Sequence, residues 1–256
     1  MGFMGRGVLA LALIWGLMLP AQAETLKVLT AGAFKQVLLA MLPQFQAMGH
    51  EVQWETDTVG GLVKRIAAGE TFDVVFASPA ALAELRKSGK VGNGVDLARV
   101  GVGVAVKEGA AKPDIGTVDG FRQALLAARA VAYIDPASGG SSGIYVAGLI
   151  DRLGIGDAVR NKSVLVKGGY SAERVVSGEA DIAVQQISEL LPVKGVVLVG
   201  PLPAEIQNYT VYSAALAPGT AKAAAGQALI DLLQGRDGAA AMSGKGMEAI
   251  DRAPAK

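Results

Sequence analysis

The sequence predicts an α/β protein of two lobes, each a mostly parallel sheet flanked by helices, the two joined by two crossover strands. Short apolar runs alternate with longer runs whose apolar residues recur at helical spacing. Runs such as Phe72-Asp73-Val74-Val75-Phe76-Ala77 are almost continuously apolar, as in strands covered on both faces. The strand–loop–helix pattern occurs in two successive blocks with no Pro/Gly-rich hinge between them, so long strands should link the blocks.

The first segment stands apart from this pattern. Arg6 supplies a positive start, Gly7 to Pro20 is a short apolar stretch, and Ala21-Gln22-Ala23 fits a signal-peptidase site, so the exported chain should begin at Glu24. The apolar stretch falls short of the roughly 20 residues needed to span a bilayer. The expectation is a cleaved leader over residues 1–23, a periplasmic location and no stable membrane insertion.

Leu26–Leu29 reads as a strand and Phe34–Met48 as a helix with Val37, Leu38, Met41, Leu42 and Phe45 on one face. Val52–Thr56 reads as a strand, Leu62–Ala68 as a helix, Phe72–Ala77 as a buried strand, and Ala80–Ser88 as a helix closed by Gly89. The second block gives strands at Val100–Val106, Ala130–Ile134, Ser163–Val166 and Ile182–Val184, with helices at Val118–Ala127, Ile144–Leu153 and Ser171–Ser177. Strands at Val196–Val199 and Tyr209–Ala217 follow, then helical stretches at Thr220–Leu233 and Asp237–Met242. Val100–Val106 and Tyr209–Ala217 are the expected crossovers. They put residues 24–101 and 208–256 in lobe 1 and residues 102–207 in lobe 2. Ligands of open α/β sheets sit beyond the carboxyl ends of the strands, so two facing sheets make a cleft.

Composition excludes several classes. There are 24 basic and 23 acidic residues, and Arg6 lies in the leader, so the exported chain is formally neutral. That leaves no footprint for nucleic acid or for an anionic membrane. Cysteine is absent and His50 is the single histidine, so thiolate and histidine-rich metal sites cannot be built. No phosphate-binding G-x-x-x-x-G-K-[ST], dinucleotide G-x-G-x-x-G or nucleophile-elbow G-x-S-x-G occurs. Neither a cofactor nor a metal is expected. Asp57, Asp73 and Asp135 read as turn or cap residues.

Thr30-Ala31-Gly32-Ala33-Phe34, Thr58-Val59-Gly60-Gly61 and Ser138-Gly139-Gly140-Ser141-Ser142-Gly143 each lead from a strand into a helix. Helix N-termini present unpaired N–H groups and the positive end of the dipole, so converging termini can hold an anion without charged side chains. A fourth such stretch is Lys167-Gly168-Gly169-Tyr170-Ser171-Ala172-Glu173-Arg174, and Gln185-Gln186 ends a buried strand, where two amides need a polar cleft. Each loop alone also reads as an ordinary βα turn. Lys64 and Arg65, one turn inside the second helix, read as facing solvent or an acidic neighbour in preference to the cleft.

Taken in order, Leu26 to Phe34, Gly61 to Gly69, Phe72 to Ser78, Asp135-Pro136, Ser142-Gly143-Ile144-Tyr145, Gly178 to Asp181 and Val211 to Ala215 resemble the periplasmic molybdate-binding proteins of ABC importers. These are type II solute-binding proteins. The resemblance implies a cleft that closes on its ligand, a small anion as ligand, an inner-membrane ABC permease as partner, and a monomer without catalysis. It also implies neutral donors: a Ser in each of the first two loops, N–H groups in the third and fourth, and a Tyr at the last buried strand. Here the first Ser position holds Ala33. The second falls on Val59, or on Thr58 or Gly60, and the Tyr position holds Gln186. Ser142 stands at the third loop, and Gly168 or Gly169 at the fourth.

The candidate ligand-binding set is therefore Ala33, Phe34, Val59, Gly60, Ser141, Ser142, Gly168, Gly169, Tyr170 and Gln186. A hydrogen bond to a charged group is worth roughly 1.5–3 kcal/mol, so missing hydroxyls change affinity by orders of magnitude unless replaced. The favoured expectation is an organic carboxylate, with Gln185, Gln186, Tyr170, Ser141 and Arg174 as replacement donors. Molybdate or tungstate held by backbone N–H groups is the alternative. A ligand-sensing partner of a membrane receptor is a further one, and an enzyme on the same fold, using Asp57 or Tyr170, a minor one.

Overall fold

One strand is shared by both halves of the molecule. The structure is a computed structural model and describes residues 23–250. The leader assigned above lies outside the described residues, except for Ala23.

The first lobe begins with β1 (Thr25–Ala31), a 3₁₀ turn at Gly32–Phe34 and α1 (Lys35–Ala47). It continues through β2 (Glu51–Asp57), α2 (Val59–Ala67), β3 (Val74–Ala77) and α3 (Pro79–Lys87) into β4 (Val95–Lys107). The second lobe holds α4 (Val118–Ala127), β5 (Val131–Ile134), a 3₁₀ turn at Pro136–Ser138, α5 (Ser141–Arg152), α6 (Gly156–Arg160) and β6 (Ser163–Val166). It ends with α7 (Glu173–Val176), β7 (Ile182–Gln186), α8 (Ile187–Leu190), β8 (Val196–Pro201) and a 3₁₀ turn at Ala204–Ile206. The chain then returns to the first lobe through β9 (Tyr209–Leu216), α9 (Ala223–Gln234), α10 (Arg236–Gly244) and β10 (Glu248–Ala249).

The strand order is β2-β1-β3-β9-β4-β7-β5-β6, with β8 and β10 both on β4. The β2-β1-β3 and β6-β5-β7 sets are parallel, as helical crossovers require. Strand β4 runs from one lobe into the other, pairing antiparallel with β9 in the first and with β7 in the second, and β9 also pairs antiparallel with β3. Val95 to Gly101 pairs with β9, and Val102 to Val106 pairs with β7.

At this change of partner, Gln207 substitutes for a neighbouring strand. Its Oε1 accepts from the Val102 N–H (2.8 Å), and its Nε2 donates to the Val102 carbonyl (3.0 Å). A Cβ on Gly101 would lie 3.0 Å from that amide, so the glycine lets Gln207 come this close without shifting.

Both lobes bury an apolar layer between sheet and helices. Phe34 stacks on Phe76 at 4.9 Å in the first, and Phe121, Tyr133 and Val146 fill the second. Several elements differ from expectation. Strand β4 starts at Val95 because its early residues pair with β9 and β10 despite the polar Asp96 and Arg99. Helix α2 starts at Val59, not Leu62, because Thr58 caps it by accepting from Gly61 N (3.0 Å). Helix α5 starts at Ser141, not Ile144. The short helices α6 and α8 carry too little periodicity to be read in advance.

Candidate functional site

A cavity of about 270 Å³ lies between the lobes, at the carboxyl ends of β1, β2, β5 and β7. Ala33, Val59, Ser141, Ser142, Gly168, Gly169, Tyr170 and Gln186 line it, together with Lys35, Asp57, Thr58, Ile134, Glu189 and Tyr212. Two of the expected residues do not line it. Phe34 turns its ring into the core against Phe76. The Gly60 N–H donates to the Gly139 carbonyl of the other lobe (3.1 Å).

That second departure changes the meaning of the second loop. Its donors are already occupied: Gly60 N bonds across the cleft, Gly61 N bonds to the Thr58 hydroxyl, and that hydroxyl donates to the Ser138 carbonyl. A Cβ on Gly60 would lie 2.8 Å from the Gly139 Cα, so two glycine backbones touch here. Gly139 also sits at φ +76°, where an L side chain is strained. Gln36 adds a third bridge between the lobes, its Nε2 donating to the Tyr170 hydroxyl (2.8 Å). The lobes are therefore in contact around the mouth of the cavity.

The third loop keeps its donors. No side chain caps α5, and its first turn holds Ser141 and the buried Ser142 against the cavity. Its glycines have packing duties as well. A Cβ on Gly143 would meet the Ile134 carbonyl at 2.1 Å, so only glycine lets α5 sit on the end of β5. In the fourth loop, Gln185 acts as scaffold and not as a ligand donor. Its Oε1 accepts from Ser171 N (2.7 Å) and Oγ (2.8 Å), and its Nε2 donates to the Gly169 carbonyl (2.9 Å). Arg174 pairs with Glu179, and Arg65 pairs with Glu70 and Glu55 and lies 3.7 Å from Asp57 at the cavity wall. Lys35 is the basic residue that lines it, its ammonium 4.8 Å from the Trp54 ring centre.

Two residues not anticipated as site residues complete the floor. Gln186 Nε2 donates to the Tyr212 hydroxyl oxygen (2.9 Å), and Ser141 hydrogen-bonds there too. Burial first, then the neighbouring Glu189, pushes the Tyr212 phenol well above its ordinary range, so it stays a donor. Burial likewise pushes the Glu189 carboxyl up to about 8, only partly offset by a hydrogen bond from Gln185. Glu189 is therefore mainly a neutral acid at pH 7. It presses on Gly32, where a Cβ would lie 2.6 Å from its Oε1. The signal for Glu189 was the polar Gln185-Gln186 pair at a buried strand end, three residues upstream. Tyr212 stands within the strand Tyr209–Ala217 but reads as core. Among the described residues no group of three or more His, Asp or Glu is placed to hold a metal ion.

The profile of bacterial extracellular solute-binding proteins matches residues 26–248. The chain belongs to that family. It is a solute-binding protein of the kind that serves ABC importers, which places it in the periplasm. Among the described residues no helix is long and apolar enough to cross a membrane. It is 32% identical over 239 residues to a Pseudomonas protein named aconitate isomerase, covering 90% of each chain. The sulfate-binding protein SubI of Mycobacterium tuberculosis superposes with a TM-score of 0.72 at 19% identity, covering 89% of this chain and 88% of SubI. The Azotobacter vinelandii periplasmic molybdate-binding protein gives 0.67 at 21%, covering 89% and 100%. These two share the fold expected from the sequence, the type II periplasmic-binding-protein fold.

Proposed function

We propose that the protein captures a small organic polycarboxylate in this cavity for delivery to an inner-membrane ABC permease. The mixed wall carries the reading. Ala31, Ala33, Val59 and Ile134 make an apolar side suited to a carbon skeleton, facing the donors of Ser141, Ser142 and Tyr212 and the ammonium of Lys35. A tetrahedral oxyanion presents oxygen on every side and would press charge against the apolar wall at a cost in desolvation. The cavity, at about 270 Å³, is close to the lower end of the roughly 300–1,000 Å³ range of small-molecule sites. The aconitate isomerase relative supports the same class, aconitate being an unsaturated tricarboxylate.

That relative also favours a second reading, isomerisation of such an acid, which departs from the non-catalytic role expected from the sequence. The observation on its side is the neutral carboxylic acid of Glu189 inside the ligand cavity. Thermal shift on ligand-stripped protein tests the ligand class. At a hundred times its Kd a ligand stabilises by roughly 2.7 kcal/mol, a rise of about 5–10 °C at this size. The expected result is that rise with a di- or tricarboxylate, and none with molybdate, tungstate or sulfate. A rise with molybdate or tungstate alone would overturn the proposal.

A further inference from the structure

We propose that Glu189 carries a proton from one carbon to another of an unsaturated polycarboxylate held in the cavity, so that the protein isomerises its own ligand. This rests on the carboxylate reading above and names the group that does the chemistry. Binding alone does not account for Glu189. An anion site gains from cations and N–H groups, whereas this one holds a carboxyl that is 7% exposed and opens onto the ligand space. Tyr170 and Tyr212 face it, and Lys35 and Asp57 line the same cavity. No ion pair fixes its charge. Its proton is therefore exchangeable near neutral pH, the property a general acid–base group needs.

The step balances without any co-reactant. The Glu189 carboxylate takes a proton from the CH₂ next to the double bond. The C–H pair shifts into the allylic system, and negative charge spreads onto the ligand's carboxylate oxygens. The N–H groups of Ser141 and Ser142 and the Tyr212 hydroxyl stabilise that charge. The new O–H of Glu189 then gives its proton to the far allylic carbon, which moves the double bond and regenerates the carboxylate. Apolar Ala33, Val59 and Ile134 keep water from the carbanion.

Proton NMR of propenetricarboxylate with the intact protein in D₂O tests this, alongside calorimetry of its binding. Wild type is expected to convert one geometric isomer into the other at a rate that rises with pH while Glu189 ionises, with deuterium entering only to the extent that the Glu189 proton exchanges between transfers. Glu189→Gln, which keeps the shape of the neutral acid, is expected to bind within about tenfold of wild type and to lose at least about a hundredfold in isomerisation. Wild type that binds without isomerising its ligand, or a Glu189→Gln protein that isomerises as fast, overturns the inference and leaves the carboxylate reading standing. Absence of any polycarboxylate binding to wild type overturns both. The wild-type isomerisation and its pH profile decide the matter even if the variant does not fold.

Discussion

Gly60→Ala is expected to hold the cleft open and to weaken ligand binding about thirty- to a hundredfold while leaving the protein as heat-stable as wild type. The added methyl group would stand 2.8 Å from the Gly139 Cα, a backbone atom that cannot swing aside. The lobes must separate, which breaks the Gly60 N to Gly139 O bond and draws Thr58 from Ser138. Donors on α5 and at residues 168–170 then no longer meet the surface around Ala33 and Val59. Losing two or three such contacts at closure amounts to roughly 2–3 kcal/mol. Stability within the first lobe is not threatened, because Gly60 lies in the first turn of α2, where alanine is the better helix former. Calorimetry should show the loss of affinity, small-angle scattering a larger radius of gyration with ligand present, and a melt an unchanged or higher Tm. Full affinity in the variant would show that closure does not depend on this contact.

The second large effect is on stability against pH, and it has two limbs. Glu189 would ionise near 4.5 in the unfolded chain but keeps its proton to about 8 in the fold. Between those values the folded state holds the extra proton, so stability falls as pH rises from about 4.5 to about 8 and levels off beyond. At roughly 1.4 kcal/mol per pH unit this limb reaches a few kcal/mol. That corresponds to a drop in Tm of about 5–10 °C between pH 5 and 8.

Glu70 acts in the opposite direction. Hydrogen bonds from Arg65 first, and Lys27 as well, hold its carboxyl down to about 2. Its contribution is complete above about 4.5 and is lost as pH falls toward 2. Melting curves of wild type and Glu189→Gln from pH 3 to 9 check both limbs. The variant should lose the slope between pH 5 and 8 and keep the acid one. An equal slope in both proteins would show that Glu189 is ionised in the fold.

The architecture was legible because it rests on period and burial. The Phe72–Ala77 run and the helical spacing after Phe34 each admit one reading. The placement of small residues between strand and helix also pointed to the end of the sheets where the cavity lies. What sequence could not show is which donors have already found partners. Thr58 looks like a ligand hydroxyl until its bonds to Ser138 and Gly61 are seen, and Gly60 looks like an anion nest until Gly139 is found against it. Gln185 reads as a cleft amide, yet it holds the turn at Ser171. Glu189 sits on a four-residue helix, too short to show a face, and its chemistry arises from burial by distant segments.

The nesting of one lobe inside the other also bears on how the chain reaches its destination. Strand β3, Val-Val-Phe-Ala, is covered on one edge by β1 but on the other only by β9, which is synthesised after the whole second lobe. The first sheet is thus incomplete until the last part of the chain exists. Contacts this distant in sequence close slowly. A nascent chain would therefore remain unfolded for much of its synthesis, the condition in which a threading translocase accepts it. Folding would be completed only on the far side of the membrane, once β9 has followed β3 across.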